Sequence, residues 1–167
     1  MVLRYAKIFL TVAVGLLALL IGVDNILDYG TNFAAVRHIL SMDTIPPGSP
    51  LTWRSIQSSA AHHLAYGFII AVELCAGALC LAGAARLARA RTGSGRAFNE
   101  AKDIAILGLI VALSLYFVGF TIVGGEWFQM WRSDGWNMQE PAFRFVGAVG
   151  IILLFVAQRD GDPPPGD

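Results

Sequence analysis

The sequence predicts an all-α fold: a polytopic four-helix transmembrane bundle with a long outer loop that carries a short interfacial helix. Three observations lead there. Hydrophobic residues make up 56% of the 167-residue chain and charged residues only 14%, against roughly 45–50% and about 25% in a soluble domain, and mean hydropathy is +0.61. Four apolar stretches reach or approach the roughly 20 residues a helix needs to cross hydrocarbon. Lysine and arginine are also divided unevenly between the connections, as in a multi-pass protein.

The first span covers about residues 5–25. Arg4 and Lys7 precede its apolar run, but no small-x-small cleavage site comes before Asp24, so it reads as an uncleaved helix rather than a secretory signal. Polar residues return at Gly22-Val23-Asp24-Asn25, where the helix is expected to end. In the outer connection, residues 27–61, Phe33, Val36 and Leu40 recur at helical spacing with Arg37 and His38 beside them. Thr31 or Asn32 is placed to cap this short interfacial helix. The run Ile45-Pro46-Pro47-Gly48-Ser49-Pro50 forces a turn, and Trp53 anchors the chain before it re-enters.

The second span, about residues 62–86, carries Cys75 and Cys80. A spacing of five puts them on different helix faces, so they are expected to be small buried hydrophobes rather than a disulfide. Residues 86–102 form a basic Gly/Ser-containing inner loop, suited to anionic headgroups. The third span is about residues 103–125. A second outer loop crowds Trp127, Phe128, Trp131 and Trp136 before the fourth span, about residues 141–158. Residues 1–160 thus form one membrane domain, and the polar residues 161–167 are predicted to be a disordered tail.

Arg4, Lys7, Arg86, Arg89, Arg91, Arg96, Lys102 and Arg159 fall on one side of this topology, and Arg37, Arg54, Arg132 and Arg144 on the other. The bias predicts cytoplasmic termini. A formal net charge of zero leaves no basic face for nucleic acid. The expected surroundings are the lipid bilayer and membrane-protein partner subunits.

Glu73 is the most informative residue, because it is the only Asp, Glu, Lys, Arg or His between the histidines at one end of the second span and Arg86 at the other. Insertion scales charge about 2.5–3.5 kcal/mol for an ionised side chain at a helix centre, so it should face the bundle interior. It is the candidate proton or ion site, with Tyr116 and Ser114 of the third span at comparable depth as hydrogen-bond donors. Asp24, Glu126 and Arg144 form a candidate outer-mouth cluster in which Arg144 would bridge to a carboxylate and tie helix ends together, or help bind an anionic or quinone-like headgroup. His62, His63 and His38 are the only candidate haem ligands, although two adjacent histidines point apart and the third lies in a loop. No metal cluster, phosphate loop or nucleophile–base pair is present in the sequence. No cofactor is expected on the main reading, with haem or quinone as the exception.

Small residues favour close helix approach: Ala71, Cys75 and Ala78, then Ala76 with Cys80, and Gly147 with Gly150. The halves also echo each other. Gly22-Val23-Asp24 parallels Gly124-Gly125-Glu126, and Trp53-Arg54-Ser55 parallels Trp131-Arg132-Ser133, which would be a parallel two-plus-two repeat.

The segment LDYGTNFAAVRHILSMDT, with its proline-rich turn and TWRSIQSS, resembles a bacterial family of predicted small integral membrane proteins of unknown function. The likeness extends over nearly the whole chain. It implies four helices and a bacterial inner-membrane location, and transfers no catalytic residue. The reading that follows is a non-enzymatic accessory or assembly subunit of a larger membrane complex, possibly respiratory. The alternatives are a small oligomeric proton-coupled transporter using Glu73, and a haem- or quinone-binding subunit.

Overall fold

A computed structural model of the protein describes residues 1–162. The predicted tail lies outside the described residues from position 163 onward, and its first two residues are tied down. The Gly161 carbonyl accepts from Arg4 Nη2 at 2.8 Å, and Asp162 Oδ1 accepts from the Gly95 amide at 2.6 Å.

The described residues are helical with no strand. Helix α1 spans Val2–Leu27, α2 Tyr29–Ser41, α3 Ser59–Ala90, α4 Gly95–Glu100, α5 Asp103–Ser114 and α6 Gln139–Ala157. Between α5 and the second outer loop the chain continues as a π-helix, Leu115–Trp127. Four helical stretches are long and apolar enough to cross a membrane: Val2–Leu27, Ser59–Ala90, Gly95–Trp127 and Gln139–Ala157. At 1.5 Å per residue the 32-residue α3 is about 48 Å long, which exceeds the roughly 30 Å of hydrocarbon.

Helix α3 is the hub, packing most extensively on α1 and then on α5. Its glycines set the distance. A Cβ on Gly77 would meet Leu19 Cγ at 2.6 Å, and one on Gly83 would collide with the Ala105 backbone of α5. From the other side, a Cβ on Gly108 would meet the Cys80 amide nitrogen at 2.6 Å. Ala76 and Cys80 are buried at these crossings, and the core joins them to Val14, Leu109 and Val149 from the three other helices. The Ala71, Cys75 and Ala78 stripe is exposed instead, which corrects the expectation of burial for Cys75. Gly147 and Gly150 likewise have nothing within 4 Å of an added Cβ, so α6 uses neither for close approach within the bundle.

Three further departures from the sequence reading bear on the site. Helix α1 runs past Asn25 to Leu27, and α2 starts directly after the Asp28 break, so Thr31 and Asn32 lie inside α2 and cap nothing. The inner loop is ordered as α4, whose N-cap Ser94 accepts from the Ala97 amide at 3.2 Å. The third span changes pitch at Leu115, and Thr121 Oγ1 donates to the Tyr116 carbonyl five residues back. Gly119, Gly124 and Gly125 in this stretch have little helical preference to resist such widening.

The Trp-Arg-Ser echoes share one local conformation. Thr52–Arg54 and Met130–Arg132 are both 3₁₀ turns, followed by extended Ser55 and Ser133. The two outer connections also touch, through Thr44 and Ser133 hydroxyls 2.8 Å apart and through Ser49 donating to Gln129 Oε1 at 2.6 Å.

Candidate functional site

Glu73 lies near the middle of α3 and is 4% exposed, facing the bundle interior as its cost in hydrocarbon requires. Its partner comes from α1. Asn25, also 4% exposed, donates from Nδ2 to Glu73 Oε2 at 2.8 Å. The amide is held in turn from α2, where Asn32 Nδ2 donates to Asn25 Oδ1 at 2.6 Å. The Tyr66 hydroxyl, two turns from Glu73 on α3, donates to the Asn25 carbonyl at 3.2 Å. Three helices therefore converge on one buried carboxyl through a chain of amides, an arrangement that fixes its orientation.

Only Oε2 is engaged. Glu73 Oε1 receives no hydrogen bond among the described residues, and the side chain borders a cavity of about 160 Å³. Tyr66, Tyr116, Phe120 and Phe145 contribute aromatic walls, while Asn25, Asn32 and Glu73 contribute the polar edge. Tyr116 stacks on Phe145 of α6 with centroids 4.4 Å apart, which sets its ring as a wall. The π-helix brings both Tyr116 and Phe120 to this cavity.

A second, larger cavity of about 520 Å³ lies between α3 and the π-helix, beneath α2. Its lining is apolar apart from Ser114. Val36 and Ile39 of α2, Ile69 of α3 and Phe120 border both cavities, so the two are neighbours with a common wall. Helix α2 is thus a lid over both. The rim above is aromatic: Phe33 stacks on His63 at 4.2 Å, and the Tyr29 hydroxyl lies 2.8 Å from His63 Nδ1.

The other expected site residues are dispersed. Ser114 is exposed and borders the larger cavity, not the Glu73 cavity. Arg144 pairs with Glu140 one helical turn earlier, both more than three-quarters exposed, rather than with Asp24 or Glu126. The i,i+4 neighbour on its own helix is the nearer carboxylate. Asp24 and Glu126 are exposed and join no ion pair among the described residues, so the outer-mouth cluster is not assembled. Each histidine has a separate neighbourhood. His62 Nε2 lies 2.8 Å from the Ile56 carbonyl, His63 is in the Tyr29–Phe33 stack, and His38 bridges to Asp43 while stacking on Trp136. Among the described residues no group of three or more His, Cys, Asp or Glu is placed to hold a metal ion.

With this geometry in view, the family of predicted small integral membrane proteins (DUF2165) matches the chain over residues 3–159. The chain belongs to this family. It is an integral membrane protein, and the match takes in all four long helices and every residue of the Glu73 site. Comparison with curated proteins finds no match. Comparison with solved structures finds none either.

The residues that sequence reasoning missed for this DUF2165 member are Asn25, Asn32 and Tyr66. Tyr66 precedes Glu73 by seven residues, a same-face spacing on a helix, and that signal could have found it. Asn25 carries no such signal, because the return of polar residues at Asp24 reads as the end of a helix.

Proposed function

We propose that this protein is a non-enzymatic membrane subunit whose working part is the Glu73 cavity, a site that takes up a hydrogen-bonding group from a molecule dissolved in the bilayer. One observation carries this reading. Glu73 Oε2 is held by Asn25, while Oε1 is left free beside a partly open cavity of about 160 Å³. Oε1 opens onto this space rather than being sealed in the bundle, since among the described residues Arg54 Nε is the one fully buried side-chain polar atom left without a partner. An accessible acceptor of this kind can take a donor that enters from outside the chain. The rest of the cavity is an aromatic and amide surface that orients a guest and offers no nucleophile. The lysine and arginine bias supports cytoplasmic termini in an inner membrane, with α2 on the outer side.

A second reading, an accessory role in a larger complex, draws on a different observation. Trp53, Trp127 and Trp131 are 69%, 47% and 52% exposed at the end of the bundle away from the termini. Aromatic residues are enriched at protein interfaces.

One experiment addresses both. The tagged protein is treated in its own membranes with dicyclohexylcarbodiimide, an apolar reagent for membrane-embedded carboxyls, then purified in mild detergent and analysed by mass spectrometry. The site reading expects modification at Glu73 and none in Glu73→Gln. An unmodified Glu73 beside modified exposed carboxylates would end it. The accessory role expects stoichiometric membrane chains in the same preparation, and recovery alone overturns it.

A further inference from the structure

The two cavities differ in chemistry and share a wall, and together they describe a ligand with two parts. Resting on the Glu73 reading above, we propose that the site binds a quinol-type lipid: a hydroxyl-bearing six-membered ring on an apolar chain, with the ring beside Glu73 and the chain in the larger groove.

Size supports the ring. A cavity of about 160 Å³ is close to the roughly 150 Å³ apolar cavity that admits benzene in another protein. The walls suit an aromatic head, because Tyr66, Tyr116, Phe120 and Phe145 offer ring faces and edges on several sides. Charge narrows the choice. No lysine or arginine borders either cavity, and the one carboxyl is that of Glu73. A phosphate headgroup therefore finds no cation and meets an acceptor, whereas a ring hydroxyl can donate to Glu73 Oε1.

The groove accounts for the rest. Its volume of about 520 Å³ is in the range of small-molecule sites, and its walls are the side chains of Val72, Val118, Val123 and similar residues. Ala65 and Gly119 leave room along its length. An added Cβ on Gly119 would touch only Leu115 Cδ1, at 3.6 Å. The shared residues Val36, Ile39, Ile69 and Phe120 make the passage from groove to ring site short.

The test uses the full chain in lipid nanodiscs with decylubiquinol, kept reduced, as the probe. Ligand that binds the folded state raises the thermal midpoint in a concentration-dependent way. Decylubiquinol should raise it saturably, and decanol, which has a chain of the same length and no ring, should not. Glu73→Gln should weaken the apparent affinity at least tenfold by exchanging the carboxyl acceptor for a weaker, neutral amide oxygen. Ala65→Phe, which plugs the groove and replaces no residue of the Glu73 cavity, should do the same. Gly119→Leu repeats the plug from the opposite wall should Ala65→Phe alter the circular dichroism or elution of the protein.

Equal stabilisation by decanol overturns the proposal, since the ring then contributes nothing. Tenfold weakening by Glu73→Gln with wild-type affinity in both plugged variants removes the chain from the groove and leaves the Glu73 site standing. No response to decylubiquinol, with carbodiimide still modifying Glu73, overturns the ligand class alone. Failure of both overturns the site as well.

Discussion

At the residue scale the protein turns on one carboxyl and the amide that holds it. Asn25 is used three times over: it donates to Glu73, accepts from Asn32, and its carbonyl accepts from Tyr66. Asn25→Leu strands Glu73 Oε2 and the Asn32 amide together, and should cost about 2 kcal/mol, within the range for a buried polar group that loses its partner. The reading is the thermal midpoint in detergent. Glu73→Leu alone strands Asn25 Nδ2 and should also destabilise. The double variant Asn25→Leu/Glu73→Leu replaces both partners with apolar groups, so its cost should fall well below the sum of the two. Strict additivity would mean that the pair is not energetically coupled. Glu73 itself was legible in the sequence, because a lone charge in an apolar run has few places to go. Its partner was not, since depth along the third span, which points to Tyr116 and Ser114, says nothing about which face of that span looks at α3. The π-helical pitch then turned Tyr116 into a cavity wall and left Ser114 in the groove.

At the scale of elements, hydrophobic length alone marked the four long helices, because few other structures satisfy the backbone in hydrocarbon. What length could not reveal was which small residues make the crossings. Gly83 and Gly147 look alike in sequence, each in an apolar helix with small neighbours. A Cβ on Gly83 collides with the Ala105 backbone, while one on Gly147 meets nothing within 4 Å. Gly83→Ala should therefore destabilise by about 1–3 kcal/mol through overpacking, and Gly108→Ala should do so at the same helix crossing, against Cys80 of α3. Gly147→Ala and Gly150→Ala, with open space for a Cβ, should cost nothing and gain up to about 1 kcal/mol from helix propensity. Thermal midpoints of the four variants in one detergent decide it, and a large loss at Gly147 would place an unrecognised contact on α6. The outer helix was legible as a stripe of Phe33, Val36 and Leu40, yet its task was not. Those residues were expected to face an interface, and instead Val36 and Leu40 roof the groove while Phe33 stacks on His63.

At the scale of the whole molecule, the bundle is closed at one end by Asp160. Its Oδ2 accepts from Lys7 of α1 at 2.6 Å and from Lys102, just before α5, at 2.5 Å. The Gln158 carbonyl accepts from the same two ammonium groups, and Asn99 of α4 bonds both the amide and the carbonyl of Asp160. Sequence reading assigned Lys7 and Lys102 to orientation alone, because a chain end seven residues from the terminus gives no sign of folding back. The end of α6 is in this way tied to α1 and to the start of α5 by one side chain that is 8% exposed, and to α4 by the backbone of the same residue. Burial pushes the Asp160 carboxyl upward, but the hydrogen bonds from Lys102 and Lys7, with their charges, outweigh it and hold the group below the usual carboxylate range. A carboxyl with a depressed folded-state value contributes its stability in full above the unfolded value of about 3.9 and loses it as pH falls through the folded value. Asp160→Asn leaves two buried ammonium groups facing a neutral amide in place of their shared carboxylate, so the loss at neutral pH should be about 3 kcal/mol, the lower end for a broken buried pair. The difference between parent and variant should stay level from neutral pH down to about pH 5 and narrow below about pH 4, where protonation removes the same interaction from the parent. Thermal midpoints of both proteins between pH 3 and 8 in one detergent check this. A difference that persists undiminished at pH 3 would mean that Asp160 stabilises the bundle by packing rather than by charge.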